Sequence, residues 1–309
     1  MTVAPPVQQG VVRPPNRDLG LLVVALVAVS TSGPLIAATV VPALAIAFWR
    51  NAMAAAVLAP AVLLRRRAEL RGLDRRERGL ALLAGLLLAL HFGMWIPALS
   101  YTSVASATAL VATQPVWSAL ISRLRGEPVT RQVWLGIGVA MTGALLLTGA
   151  DLQVSGRALF GDALAVTGGV FAAAYMTAGG EVRRSVSTTT YTALCYSTTA
   201  VLLLVTCLVG GQDLAGYQPR DWAKLVALTA GAQLLGHSLF NVVLKTTSPT
   251  VVSLSILFEI PGAALIAALF VKGQHVPLLA VPAAALLLAG LALVIRSSGR
   301  EAAPAVPVE

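Results

Sequence analysis

The sequence predicts an all-α integral membrane protein with ten transmembrane helices, arranged as an inverted repeat of five plus five. Three observations predict it. Hydrophobic residues make up 57% of the 309-residue chain and charged residues only 11%, with a mean hydropathy of +0.82. A soluble protein carries roughly 25% charged residues. The apolar residues fall in uninterrupted runs, and about twenty such residues suffice for one helical span. Finally, the second half of the chain repeats the punctuation of the first. No polar stretch is long enough to fold alone as a soluble catalytic domain. The net charge of +9 would suggest nucleic acid in a soluble chain; among membrane spans it is topological information.

The elements follow in order. Residues 1–18, with Pro5, Pro6, Pro14 and Pro15, read as a disordered cytoplasmic tail. Arg13 and Arg17 precede an apolar run, and Ala43-Leu44-Ala45 imitates a signal cleavage site. The run is too long for a signal peptide and a second follows at once, so the first span is expected to be retained. Spans are predicted at 19–39, 42–64, 79–99, 103–122, 132–150, 162–180, 188–210, 223–243, 250–271 and 277–295, with a second cytoplasmic tail at 297–309. Charges and Gly/Pro breaks delimit them, because helices packed in lipid are apolar nearly all round. They must be helices, since hydrocarbon leaves no partner for an open backbone.

Basic residues orient the spans. With the N-terminus inside, the inner segments hold Arg13 and Arg17, the seven arginines between Arg65 and Arg78, then Arg123, Arg125, Arg131, Arg183, Arg184, Lys245, Arg296 and Arg300. The outer segments hold only Arg157, Arg220, Lys224 and Lys272. Both termini are therefore expected in the cytoplasm. The two cysteines, Cys195 and Cys207, share one apolar run and read as small hydrophobes.

A shift of 146 residues places Gly85 on Gly231, His91 on His237 and Pro115 on Pro261. A shift of 147 then places Gly126-Glu127 on Gly273-Gln274 and Gly143 on Gly290. Five spans per unit is an odd number, so the second unit enters the membrane inverted. Inverted repeats typify secondary transporters, in which two related halves rock about a central site. Duplication in a membrane protein that transports nothing is the alternative.

These residues also resemble a known family. The run Ala98 to Ala107, Pro115, Arg125-Gly-Glu-Pro-Val-Thr130 and Gly136 to Gly143 are similar to the EamA domain, the repeat unit of the drug/metabolite transporter superfamily. The pattern returns as Lys245-Thr-Thr-Ser-Pro-Thr250, Pro261, Gly273-Gln274 and Gly290, after an opening Gly161-Asp162. The resemblance spans a first unit at 19–150 and a second at 160–296. It implies a ten-helix carrier of the inner membrane, commonly an exporter of amino acids, other metabolites or toxic compounds. The loop glutamate typical of each unit stands as Glu127 in the first and is replaced by Gln274 in the second.

Ionisable groups within spans are costly and mark functional candidates. Arg50 sits about 12 Å below the outer end of span two at 1.5 Å per residue, and His91 and Glu259 lie at neighbouring depths. Burial disfavours a charged carboxylate, so Glu259 is expected to exchange a proton or contact substrate. A static Arg50–Glu259 pair, or a glutamate lining a wet cavity, would satisfy the same residues. Arg50 suits bidentate pairing with a carboxylate or phosphate, or with carbonyls at broken helix ends. His91 with Trp95, and His237 with Asn241, share helix faces at (i, i+4) spacing. They suit a cavity, or interhelical hydrogen bonds that lock each repeat. Inversion is expected to place the two histidines in opposite leaflets, away from a shared metal.

Trp117, Tyr175 and Tyr196 are candidates to line a pocket, or to pack and anchor. Trp134 and Trp222, near span ends, read as anchors. Pro115 and Pro261 remove a donor in mid-span and are expected to kink their helices as hinges. The small residues Gly168, Gly169, Ala172 and Ala173 read as close helix packing.

No nucleotide loop or catalytic motif stands in a suitable context, so ATP-driven transport and enzymatic chemistry are not expected. The expected activity is secondary active export by alternating access, with a small-molecule substrate, protons as coupling ion and lipids as surroundings. No cofactor, metal or nucleic acid is expected, and the oligomeric state is left open. The alternatives are a membrane enzyme acting on a lipid or prenyl chain, an importer of a specialised metabolite, and a non-transporting subunit.

Overall fold

The computed structural model describes residues 15–102, 104–148, 155–270 and 278–300. The expectations for Arg13, Ser103, Lys272, Gly273, Gln274 and the outer part of both tails lie outside these residues. Among the described residues the fold is all helical, without strands. In chain order the helices are α1 (Asn16–Ser30), α2 (Ser32–Ala37), α3 (Ala43–Arg65), α4 (Arg67–Gly72), α5 (Arg75–Ala98), α6 (Val104–Val111), α7 (Gln114–Leu124) and α8 (Arg131–Thr148). Then come α9 (Gly156–Val182), α10 (Thr188–Val209), α11 (Pro219–Leu228), a π segment (Thr229–His237), α12 (Ser238–Val243), α13 (Pro249–Ile256), α14 (Glu259–Phe270) and α15 (Ala280–Arg300).

Among the described residues seven helical stretches are long and apolar enough to cross a membrane: Asn16–Ala37, Ala43–Arg65, Arg75–Ala98, Gly156–Val182, Thr188–Val209, Pro219–Val243 and Pro249–Ile266. Ala280–Arg296 is a shorter apolar helix. The predicted fourth span is divided into α6 and α7, and the predicted fifth is α8. Outward faces expose Val27, Leu64, Leu135, Val209 and Val281. That surface suits acyl chains rather than water.

Local chemistry sets several helix starts. Asp74 and Glu77 form a reciprocal capping box at α5, with Glu77 N–H donating to Asp74 Oδ1 at 2.6 Å and Asp74 N–H to Glu77 Oε2 at 3.0 Å. Ser187 and Ser248 cap α10 and α13. The prolines differ from expectation. Pro115 and Pro261 do not kink continuous helices; each stands in the first turn after a break, in α7 and α14. A proline there removes an N–H that has no intrahelical partner anyway. The breaks fall at Ala112–Thr113 and Leu257–Phe258.

Packing crosses the boundary between the two sequence halves. α3 packs on α10, α5 on α9, and α8 on α15, while the π segment packs on α1. At the α8–α15 crossing a Cβ on Gly136 would stand 2.7 Å from the carbonyl of Gly290, and one on Gly290 would stand 2.5 Å from that of Gly136. Only two glycines allow the backbones that close. One large apolar core joins α1, α3, α5, α9, α10 and the stretch 219–243. A second joins α7, α8, α13, α14 and α15. Each core takes helices from both halves. The two sequence halves are thus interleaved rather than packed side by side.

Candidate functional site

A cavity of about 70 Å³ lies where the two cores meet. Both helix breaks border it, through Val111, Ala112 and Gln114 on one side and Ile256, Leu257 and Glu259 on the other. Space of this size holds a few waters and is well short of the roughly 300–1,000 Å³ of a drug-sized pocket. A larger solute requires the walls to part.

Arg50 reaches this cavity from α3 and is fully buried. Its Nε donates to Gln233 Oε1 at 2.8 Å, and its guanidinium carbon lies 4.2 Å from the centre of the Phe92 ring. Gln233 Nε2 donates in turn to Asn51 Oδ1 at 3.1 Å, and Asn51 Nδ2 to the Ala47 carbonyl at 2.9 Å. This chain holds the arginine by one nitrogen and one face. Nη1 and Nη2 have no protein hydrogen-bond partner.

Glu259 opens α14 and faces the same cavity. Among the described residues no ion pair within 4.0 Å joins it to Arg50, although the two carboxylate and guanidinium charges act on each other. The static pair weighed from sequence is thus not formed; the groups share a cavity with space between them. Arg50 comes from the first half of the chain and Glu259 from the second.

Both histidines line the cavity as well. The Phe92 ring lies 4.9 Å from that of His91 and 5.5 Å from that of His237. The expected separation into opposite leaflets does not keep them apart, because Phe92 packs between their rings on the wall of one cavity. His91 Nδ1 pairs with the Gly168 carbonyl at 2.9 Å, and its ring stacks parallel to Trp95 at 5.9 Å. A Cβ on Gly168 would stand 3.2 Å from Trp95 Cβ, so the small residue permits this contact. His237 ends the π segment, whose extra residue per turn carries Gln233 and His237 toward Arg50. Among the described residues no group of three or more His, Cys, Asp or Glu side chains could hold a metal.

Trp95 and Tyr175 line the cavity; Trp117, Tyr196 and Asn241 do not. Trp117 Nε1 donates to Thr113 Oγ1 at 3.0 Å, bracing the first helix break. Asn241 Nδ2 donates to Tyr175 Oη at 2.7 Å, and Tyr196 Oη lies 3.2 Å from Ser238 Oγ. These residues hold the wall from behind. Gln233, Phe92 and Gln114 belong to the site and were not selected from sequence. Gln233 stands four residues before His237 in an apolar run, a spacing that marks it. Gln114 immediately precedes Pro115, and its Nε2 donates to Ser253 Oγ at 3.0 Å across the seam. Nothing in the sequence distinguishes Phe92 from other apolar residues.

At one end of the bundle three arginines from separate segments converge on Glu181: Arg76 at 2.8 Å, Arg125 at 3.4 Å and Arg184 at 3.5 Å. Nearby, Glu69 accepts from Ser187 N–H at 2.7 Å, Ser187 Oγ at 2.8 Å and Thr190 Oγ1 at 2.9 Å. Partial burial pushes the Glu69 carboxyl upward, but these bonds and Arg66 together outweigh it and hold it below the usual value. Elsewhere, Trp49 donates to the Leu214 carbonyl at 2.9 Å and lies edge-on to Trp222 at 4.9 Å. Trp222 is thus packed in an aromatic cluster near the start of α11.

The chain matches the EamA-like transporter family over residues 18–149 and again over 159–296. No curated protein matches it by sequence. A crystal structure described only as "Crystal structure of protein" is similar at a TM-score of 0.75 and 20% identity, covering 93% of this chain and 99% of its own. That likeness concerns the fold alone. With two copies of the unit, helices long and apolar enough to cross a bilayer, and a largely apolar cavity holding Arg50 and Glu259 between two packed cores, the chain belongs to the EamA-like transporter family, within the drug/metabolite transporter superfamily.

Proposed function

We propose that the protein is a secondary active carrier of the inner membrane that exports a small metabolite by alternating access, with Glu259 binding the coupling proton. One observation carries this: Arg50 and Glu259, supplied by opposite halves of the chain, face one buried cavity bordered by two broken helices. Interrupted helices at a central charged site are how carriers coordinate solutes and ions inside a bilayer. In this reading ten spans form two units of opposite orientation. The exchange of packing partners between the halves supports it, since α5 pairs with α9 while its repeat counterpart pairs with α1. The segments that meet at Glu181 form the cytoplasmic end, in keeping with their arginines.

Untargeted mass spectrometry of spent medium tests the proposal. Cells expressing the protein, its Glu259→Gln variant or an empty vector are compared. Enrichment of a metabolite only with the intact protein is the expected result. Equal enrichment with both proteins would keep the exporter and remove Glu259 from coupling. No enrichment with folded, well-expressed protein would point to uptake instead.

A further inference from the structure

We propose that the cavity takes a small apolar monocarboxylate on Arg50 together with one proton on Glu259, so that the solute crosses as an electroneutral acid. This rests on the carrier reading and adds the class of solute and the partner of the proton.

The unsatisfied polar atoms on the cavity wall point to an anion. Arg50 Nη1, Arg50 Nη2 and Trp95 Nε1 are buried without a protein partner, and all three are donors. Among the described residues, the one other fully buried wall atom without a partner is His237 Nδ1, which can act either way; the Glu259 carboxylate faces the same space. Arg50 is positioned for a fork-like contact, because Gln233 occupies Nε and Phe92 covers one face. A carboxylate fits the two remaining nitrogens bidentately. Phe92, Trp95, Phe240 and Ile260 supply apolar surface for the rest of a small solute.

Charge balance adds the proton. Arg50 and an ionised Glu259 already sum to zero, and a further anion would leave the buried site negative. Such an uncompensated charge is strongly disfavoured in a low-dielectric interior. Protonating Glu259 from solvent restores neutrality when the carboxylate arrives. The other titratable groups facing the site are His91 on α5, His237 on the π segment and Tyr175 on α9, with Tyr196 on α10 behind Arg50. α1, α2, α8 and α15, which pack on α14, bring no ionisable side chain to the wall. Release of the acid then moves no net charge.

Benzoate binding to the full-length protein in detergent tests this, measured across acidic to alkaline pH. Proton uptake of one per anion predicts that the apparent Kd rises about tenfold per pH unit on the alkaline side. Glu259→Gln should bind benzoate with that slope removed, and Arg50→Gln should lose binding. If Arg50→Gln does not fold, Arg50→Lys serves: it should bind about tenfold or more weakly with the pH slope intact. Unchanged affinity in either arginine variant overturns the proposal. So does a pH-independent wild-type Kd, or a slope that survives in Glu259→Gln. Binding of phenylalanine but not benzoate by the wild type would assign a zwitterion instead. Metabolite export without benzoate binding would leave the carrier standing and remove the monocarboxylate.

Discussion

Arg50 is the cation of the candidate site. It is fully buried, and its position depends on a relay of amides from Gln233 through Asn51 to the backbone of its own helix. A buried charge with a lost partner is costly, at least about 2 kcal/mol for a hydrogen bond to a charged group. Gln233→Leu should therefore lower the thermal unfolding temperature of the purified protein measurably, and weaken transport by freeing the guanidinium. Gln233→Asn, which keeps an amide on a shorter stem, should lie between. The lone Arg50, Glu259 and histidines were legible in the sequence because charge is rare in a span. Of the amides that hold Arg50, Gln233 carried a signal in its spacing to His237, whereas Asn51 carried none beyond its place beside Arg50.

At the scale of elements, helix ends and helix crossings respond differently to substitution. The α8–α15 crossing leaves no room for a side chain, so Gly290→Val should destabilise by about 1–3 kcal/mol or more through overpacking. Thermal unfolding in detergent measures it, and Gly138→Ala, at a position with open space around it, is the matched control expected to change little. The cap that joins α4 to α10 gives a pH dependence. Folding holds the Glu69 carboxyl below its ordinary value of 4.5. Its contribution is therefore complete above that value and is lost as pH falls through the folded one. Glu69→Gln should flatten that acid limb of a stability-against-pH curve while lowering the neutral plateau. The same reasoning separates the prolines: their repeat spacing was visible, but whether each kinks a helix or starts one is decided by where the backbone breaks.

At the scale of the molecule, the cavity lies between two cores that each draw helices from both repeats. Opening it requires the core containing α7, α13 and α14 to move against the larger one, or these helices to separate at their own contact. Gln114 and Ser253 bridge α7 and α13 at 3.0 Å, with Ser118 and Thr250 at 3.4 Å farther along the same seam. A Gln114→Cys, Ser253→Cys pair in a background lacking Cys195 and Cys207 should crosslink on oxidation. Transport in proteoliposomes should stop, and a reductant should restore it. Full transport by the crosslinked protein would show that this contact stays closed throughout the cycle.

Composition, run length and the spacing of rare residues determined the class of this protein: helices in lipid, a duplicated unit, and ionisable groups too costly to be incidental. These are properties of single segments and of their order, so one chain suffices to read them. The partnership of Arg50 with Gln233 and Phe92, the gap between Arg50 and Glu259, and the meeting of both histidines were decided by tertiary structure. Each depends on the rotation of a helix about its axis and on which helix from the other half packs against it. In segments apolar nearly all round, no periodicity marks the buried face. The contact of Gly136 with Gly290 joins the two halves and was legible only in the folded chain, as was the π turn ending at His237.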